Sequence, residues 1–223
     1  MSLLIVLIPI LVASGALELA LYQLYTSRRS DRYKLYPLRP KQLGRIARVV
    51  IPNSLLSGAI LIGVSLWGLD GPLIHEQGTS AGALLYDVLA TLGLYDLLYY
   101  CLHRFLFHEW RLLRSVHVVH HTVKYPSAIE SLFVHPIENV LGVSLLLACL
   151  AIVGPVSLPA YAIILASYSW LNIVIHSGLA LRSPLLRPVA FMIRKHARHH
   201  SSMRSGNYAS ITPLPDLLFR TFE

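Results

Sequence analysis

Charge is scarce in this sequence, and acidic charge scarcer still. Of 223 residues only 13% are charged while 55% are hydrophobic, and mean hydropathy is positive. That excludes an ordinary soluble domain and indicates a membrane protein. The 11 Asp and Glu stand against 19 Lys and Arg, a formal charge of +8. Cysteine is nearly absent. Cys101 and Cys149 lie in or beside apolar runs, which excludes a disulfide framework, and both read as small buried hydrophobes. No Asn-x-Ser/Thr glycosylation acceptor occurs.

A basic surplus suggests nucleic acid until its distribution is considered. Every Lys and Arg falls within residues 28–48, 104–124 or 182–220, and the apolar runs between carry none. This is the positive-inside pattern, with all three segments cytoplasmic, and it argues against a nucleic-acid partner. The apolar runs predict spans at about 3–24, 49–69, 82–102, 138–154 and 159–176, the last two forming a hairpin through Gly154-Pro155-Val156-Ser157. The first run reads as a span and not a leader, because its basic residues follow it. The cation-free connection at 70–80 belongs outside, with His75 as a solvated loop residue. The expected fold is an all-α integral membrane protein of about five transmembrane or hairpin helices, with a cytoplasmic histidine-rich helical cap. The amino terminus lies outside. Residues 1–90 form N-terminal spans and a basic loop, and residues 91–223 a catalytic domain.

What the chain has in abundance is histidine. His117-Val-Val-His120-His121 is echoed by His196-Ala-Arg-His199-His200, and helical spacings of three and four put each triplet within one turn. With the predicted topology, His103, His108, His135 and His176 join them on the cytoplasmic side. So many imidazoles imply two ions, since a metal takes about four to six ligands. The His-Glu-x-x-His pattern of a zinc protease is absent. His103 and His108, five apart, would diverge on a continuous α-helix, so the helix turns or ends between them or they serve different ions.

The order His103-x4-His108, His117-x2-His120-His121, a lone His176 and His196-x2-His199-His200 resembles the fatty acid hydroxylase and sterol desaturase superfamily. So do Asp96-x2-Tyr99-Tyr100-x2-His103-Arg104, His135-Pro136-Ile137-Glu138 and Asn207-Tyr208. The resemblance covers about residues 90–223. It implies an integral-membrane di-iron oxygenase that uses O2 and two electrons to hydroxylate or desaturate a lipid. Separately, the membrane is expected to be the bacterial cytoplasmic membrane and not the endoplasmic reticulum. The resemblance also implies nine ligands: His103, His108, His117, His120, His121, His176, His196, His199 and His200. His135 either orients a ligand or caps backbone groups. Asn172, where some relatives carry histidine, is placed to hold a metal-bound water. Asp96 either accepts from an imidazole N–H or bonds between helices.

Lys195 reads as an ordinary cytoplasmic charge, and Tyr99 and Tyr100 as interfacial anchors. No haem-attachment or dinucleotide motif is present, so electrons are expected from a separate ferredoxin or cytochrome b5 type donor steered to the basic face. The competing function is a membrane metal-binding or metal-transport protein. A transporter should carry ionisable groups along a midplane path, whereas Glu18, Asp87 and Asp96 are the acids expected within the spans.

Overall fold

The computed structural model describes residues 2–69, 71 and 73–223, so Asp70 and Pro72 of the predicted outer connection lie outside the described residues. In chain order the elements are α1 (Ser2–Thr26), a 3-10 turn at Arg28–Tyr33, α2 (Leu43–Gly68), β1 (Ile74–His75) and α3 (Ala81–Cys101). A π-helical segment, Leu102–Glu109, continues α3. There follow α4 (Arg111–His121), α5 (Pro136–Val153), β2 (Val156–Ser157), α6 (Leu158–Ile175), α7 (Arg187–His199) and the single turn α8 (Leu214–Leu218). Five stretches are long and apolar enough to span a bilayer: α1, α2, α3 with its π-helical continuation, α5 and α6. The protein is an all-α integral membrane protein, as the hydrophobic runs predict, though the third span reaches Glu109 instead of ending near 102.

Local chemistry sets the span boundaries. Ser80 caps α3 by accepting from the Ala83 N–H at 3.1 Å, and α5 and α6 each open with proline in the first turn. Toward lipid the helices present Ile5, Ile8, Val12, Leu55, Leu85, Leu89 and Ile152. Inside, Tyr95, Val143, Leu146, Leu150, Tyr161, Ile164 and Leu165 interlock α3, α5 and α6. The first span, α1, packs on α6, and α2 on α5.

Contacts at the two ends confirm the parity of the crossings. At one end β1 pairs in parallel with β2, Ile74 opposite Val156 and His75 opposite Ser157, joining the α2–α3 and α5–α6 connections. His75 is therefore a half-buried strand residue, and its predicted role as a solvated loop residue is corrected. At the other end the α1–α2 connection is stitched to the segment after α6. Leu35 N–H donates to Gly178 O at 2.9 Å, and Ala180 N–H to Tyr33 O at 2.6 Å. Gly178 has φ +67, and a Cβ there would lie 2.8 Å from Pro126 O, so only glycine fits this turn after His176. All three basic segments share this end with the histidine triplets.

Candidate metal centre

Nine buried imidazoles converge here, and they divide into two groups. His103, His108, His117, His121 and His199 form one. His120, His176, His196 and His200 form the other. Within each group the donor atoms lie within 4.8 Å of one another. The nine are those expected from the sequence, but their division was not expected. Each triplet is split: α4 gives His117 and His121 to the five-membered group and His120 to the four-membered one. From α7 the assignment is reversed, with His196 and the C-cap residue His200 going to the group of four and His199 to the group of five. A three-residue step on an α-helix turns about 300°, and a four-residue step about 400°. The pair four apart therefore reaches one group while the middle residue reaches across to the other.

His103 and His108 both belong to the five-membered group, with ring centroids 5.0 Å apart. The expected turn or break between them is absent. Instead the segment is π-helical, and i to i+5 winding brings residues five apart onto one face.

Ring orientation is fixed from behind. The Nδ1 of His103 bonds Tyr208 O at 2.6 Å, that of His108 bonds Met203 O at 2.9 Å, and that of His199 bonds Gly206 O at 2.8 Å. His120 bonds Phe133 O, His176 bonds Asn172 O and His200 bonds Val123 O at 3.3, 2.7 and 2.9 Å. A carbonyl only accepts, so each of these Nδ1 atoms carries the proton and each Nε2 presents a bare lone pair. Within each group Nε2 atoms meet Nε2 atoms at 2.8 to 3.2 Å, and His108 Nε2 is buried without a partner. Facing lone pairs repel unless a cation lies between them, so this donor set fits metal ions.

Burial keeps the rings neutral. It pushes the His176 imidazole down to about 4, and the His121 imidazole, which also faces His108 and His176, to about 3. His117, His120, His196, His199 and His200 are also held well below their ordinary value, by burial first and by neighbouring imidazoles second.

The remaining expected residues are placed differently. His135 caps α5, its Nδ1 accepting from Ile137 N–H at 3.2 Å, and lies in neither group. Asn172 supports His176 through its backbone carbonyl, while its side-chain amide reaches Ser131 O at 3.5 Å. Asp96 touches no imidazole. Its carboxylate accepts from the N–H groups of Ser210, Ile211 and Thr212 and from the Thr212 hydroxyl. It thereby anchors the segment whose carbonyls hold His103, His108 and His199.

Lys195 is not a solvated charge but is 4% exposed. It pairs with Asp216 at 2.7 Å and donates to Ala209 O at 2.5 Å. Tyr100 is fully buried, stacked on Phe219, and Tyr99 packs between Tyr95 and His103, so neither is an interfacial anchor.

Sequence reasoning missed Glu138, whose Oε1 accepts from His117 Nδ1 at 2.8 Å. Its signal was a carboxylate in the first turn of an apolar span. A small cavity of about 80 Å³ touches His120, His176 and His196 and is walled by Tyr99, Phe107 and Leu171.

Residues 88–221 match the family model described as Fatty acid hydroxylase. The chain is 32% identical over 132 residues to methylsterol monooxygenase 1 of Rattus norvegicus, a match covering 56% of this chain and 43% of that protein. The matched segment thus spans less than half the length of that relative. No solved structure matches the chain.

Proposed function

The chain belongs to the fatty acid hydroxylase family, and we propose that it is a membrane-bound oxygenase that uses O2 and two electrons to hydroxylate or desaturate a lipid carbon. In this reading one iron is held by His103, His108, His117, His121 and His199. A second is held by His120, His176, His196 and His200. The observation that carries it is the division of nine neutral imidazoles into two abutting groups, with lone pairs turned inward, beside a cavity among the membrane helices.

When bound, the iron pair supplies the activation of dioxygen, which no side chain here performs. The chain's own groups hold and shield. Glu138 and the six backbone carbonyls keep seven of the imidazoles in one tautomer and orientation. Tyr99, Phe107, Leu171 and Ile175 line the small cavity and keep water from the face of His120, His176 and His196, where a lipid carbon would be presented. All-neutral donors leave the full positive charge of the ions available to polarise oxygen.

The histidine-bearing end lies in the cytoplasm in this reading, supported by the positive-inside distribution of Lys and Arg. Division into N-terminal spans, 1–90, and a catalytic part, 91–223, belongs to the same reading. Electrons come from a separate ferredoxin or cytochrome b5 type donor. A docking place is supported by an open cavity of about 400 Å³ lined by Arg39, Arg45, Lys124 and Val123, since the Val123 carbonyl holds His200.

The test is metal analysis and turnover of untagged protein purified from membranes. The expected result is about two irons per chain and oxygen-dependent modification of a lipid when a donor is supplied. Stable zinc at one ion per chain, with no iron and no oxygen consumption, would overturn the reading.

A further inference from the structure

A second cavity, of about 490 Å³, lies within the membrane between α1, α2 and α6, away from the imidazoles. Its rim includes Leu55, 69% exposed, so it opens toward lipid. Its inner end shares Ser131, Leu132, Asn139, Tyr168 and Asn172 with the small cavity beside His120, His176 and His196. Those side chains border both the lipid-facing chamber and the small cavity beside the candidate metal centre. Two of its walls, α1 and α2, precede residue 88, where the family match begins.

Several features identify this space as a ligand site. The volume suits a small molecule, for which sites run to about 300–1,000 Å³. A Cβ added at Gly15 of α1 or at Gly58 of α2, both lining residues, would meet nothing within 4 Å, so the helices hold the space open with glycine on both sides. Glu18 lines it about 12 Å along α1 from the inner helix end, at 1.5 Å per residue. Its carboxylate accepts one hydrogen bond, from Ser131 Oγ at 3.3 Å, and among the described residues it has no basic partner. An acid kept in a span and facing a cavity marks a functional position. The rest of the lining is aliphatic, amide and hydroxyl, and contains no Lys, Arg or His.

Resting on the oxygenase reading, we propose that this cavity admits the substrate sideways from the bilayer between α1 and α2, and that Glu18 selects an uncharged, hydroxyl-bearing lipid over an anionic one. Ionised or neutral, the Glu18 carboxyl accepts a hydrogen bond from a lipid hydroxyl. In its ionised form it repels a fatty carboxylate or a phosphate in a medium of low dielectric, where the repulsion is poorly screened. Selection thus sits in N-terminal spans outside the matched family segment, while the imidazoles belong to the segment itself.

The test is photolabelling of metal-free protein in lipid nanodiscs with a diazirine-bearing long-chain alcohol and with the corresponding diazirine fatty acid. In the wild type the alcohol labels peptides of α1, α2 or α6, and the fatty acid labels them about tenfold less. Gly58→Leu fills the cavity and lowers alcohol labelling by about tenfold. Gly15→Leu, from the opposite wall, does the same should the first variant fold poorly. Gly63→Leu, on the exposed face of α2 with equally open surroundings, leaves labelling unchanged. Glu18→Gln raises fatty acid labelling toward that of the alcohol. Equal labelling by both probes in the wild type, or labelling untouched by both filling variants, overturns the proposal. Because labelling needs neither iron nor turnover, a wild type that labels as expected but binds no iron would sink the oxygenase reading alone.

Discussion

His117 donates its Nδ1 proton to Oε1 of Glu138 at 2.8 Å, with both side chains buried. The bond joins α4 to the first turn of α5 and gives one ring of the five-membered group its tautomer. Removing the carboxylate with Glu138→Ala frees the ring to rotate, and metal affinity should fall by about 10- to 100-fold. Glu138→Gln retains an acceptor oxygen and should lose much less. Iron retention against a graded chelator measures both, and equal losses would refute a positioning role.

Insertion of one alanine between Phe105 and Leu106 takes His108 about 100° around the helix axis away from His103. The five-membered group should lose metal while α3 still inserts. Deletion of Leu106 leaves the two histidines four apart, a spacing that α-helical winding aligns as π-helical winding aligns five. The deletion should therefore retain more iron than the insertion. The reverse order would show that the π-helical segment is not what unites the pair.

His120 and His199 are the residues that each triplet sends across to the other group. His120→Ala leaves three donors in its group and His199→Ala leaves four in its own, so His120→Ala should lose more iron. Both should abolish turnover with membrane insertion intact. His75→Ala, at the opposite end of the bundle, should be nearly silent. Iron content and product formation at matched expression decide the ranking, and full activity in either triplet variant would end the two-ion assignment.

The Lys195–Asp216 pair clamps the last turn of the chain beneath the site. Lys195→Met strands the buried Asp216 carboxylate and should cost about 3–5 kcal/mol of stability. Adding Asp216→Asn removes the orphaned charge and should recover part of that. Thermal unfolding in detergent reads both, and a silent Lys195→Met would mean the pair contributes nothing.

Acidification should weaken the metal-free fold, because His176 and His121 protonate only near about 4 and about 3 when folded but near about 6.5 when unfolded. Between those values the unfolded chain binds protons that the folded chain refuses. Stability is therefore complete above about pH 6.5 and declines as pH falls toward about 4. A urea midpoint that stays flat from about pH 7 to about pH 4.5 would contradict the neutral-ring picture.

What the sequence determined by itself is whatever depends on one residue's chemistry or on short periodicity. Span number and parity follow from hydrophobic runs and from where the cations fall. The histidine triplets follow from residue type and spacing, and the set of nine imidazoles from the resemblance that the ordered boxes carry. Tertiary structure alone decided how those imidazoles divide between two groups, with His117 and His121 of α4 in one, His196 and His200 in the other, and one ring of each triplet sent across. It also decided the winding of 102–109, since a π-helical segment and a broken α-helix share the same local residues and only packing chooses between them. The roles of Asp96, Glu138 and Lys195 were equally out of reach of the sequence. Asp96 meets residues 210–212, Glu138 meets His117, and Lys195 meets Asp216. A buried charge is settled by its nearest partner, and these partners lie 114 to 116 residues away along the chain for Asp96 and 21 for Glu138, beyond the reach of any local pattern.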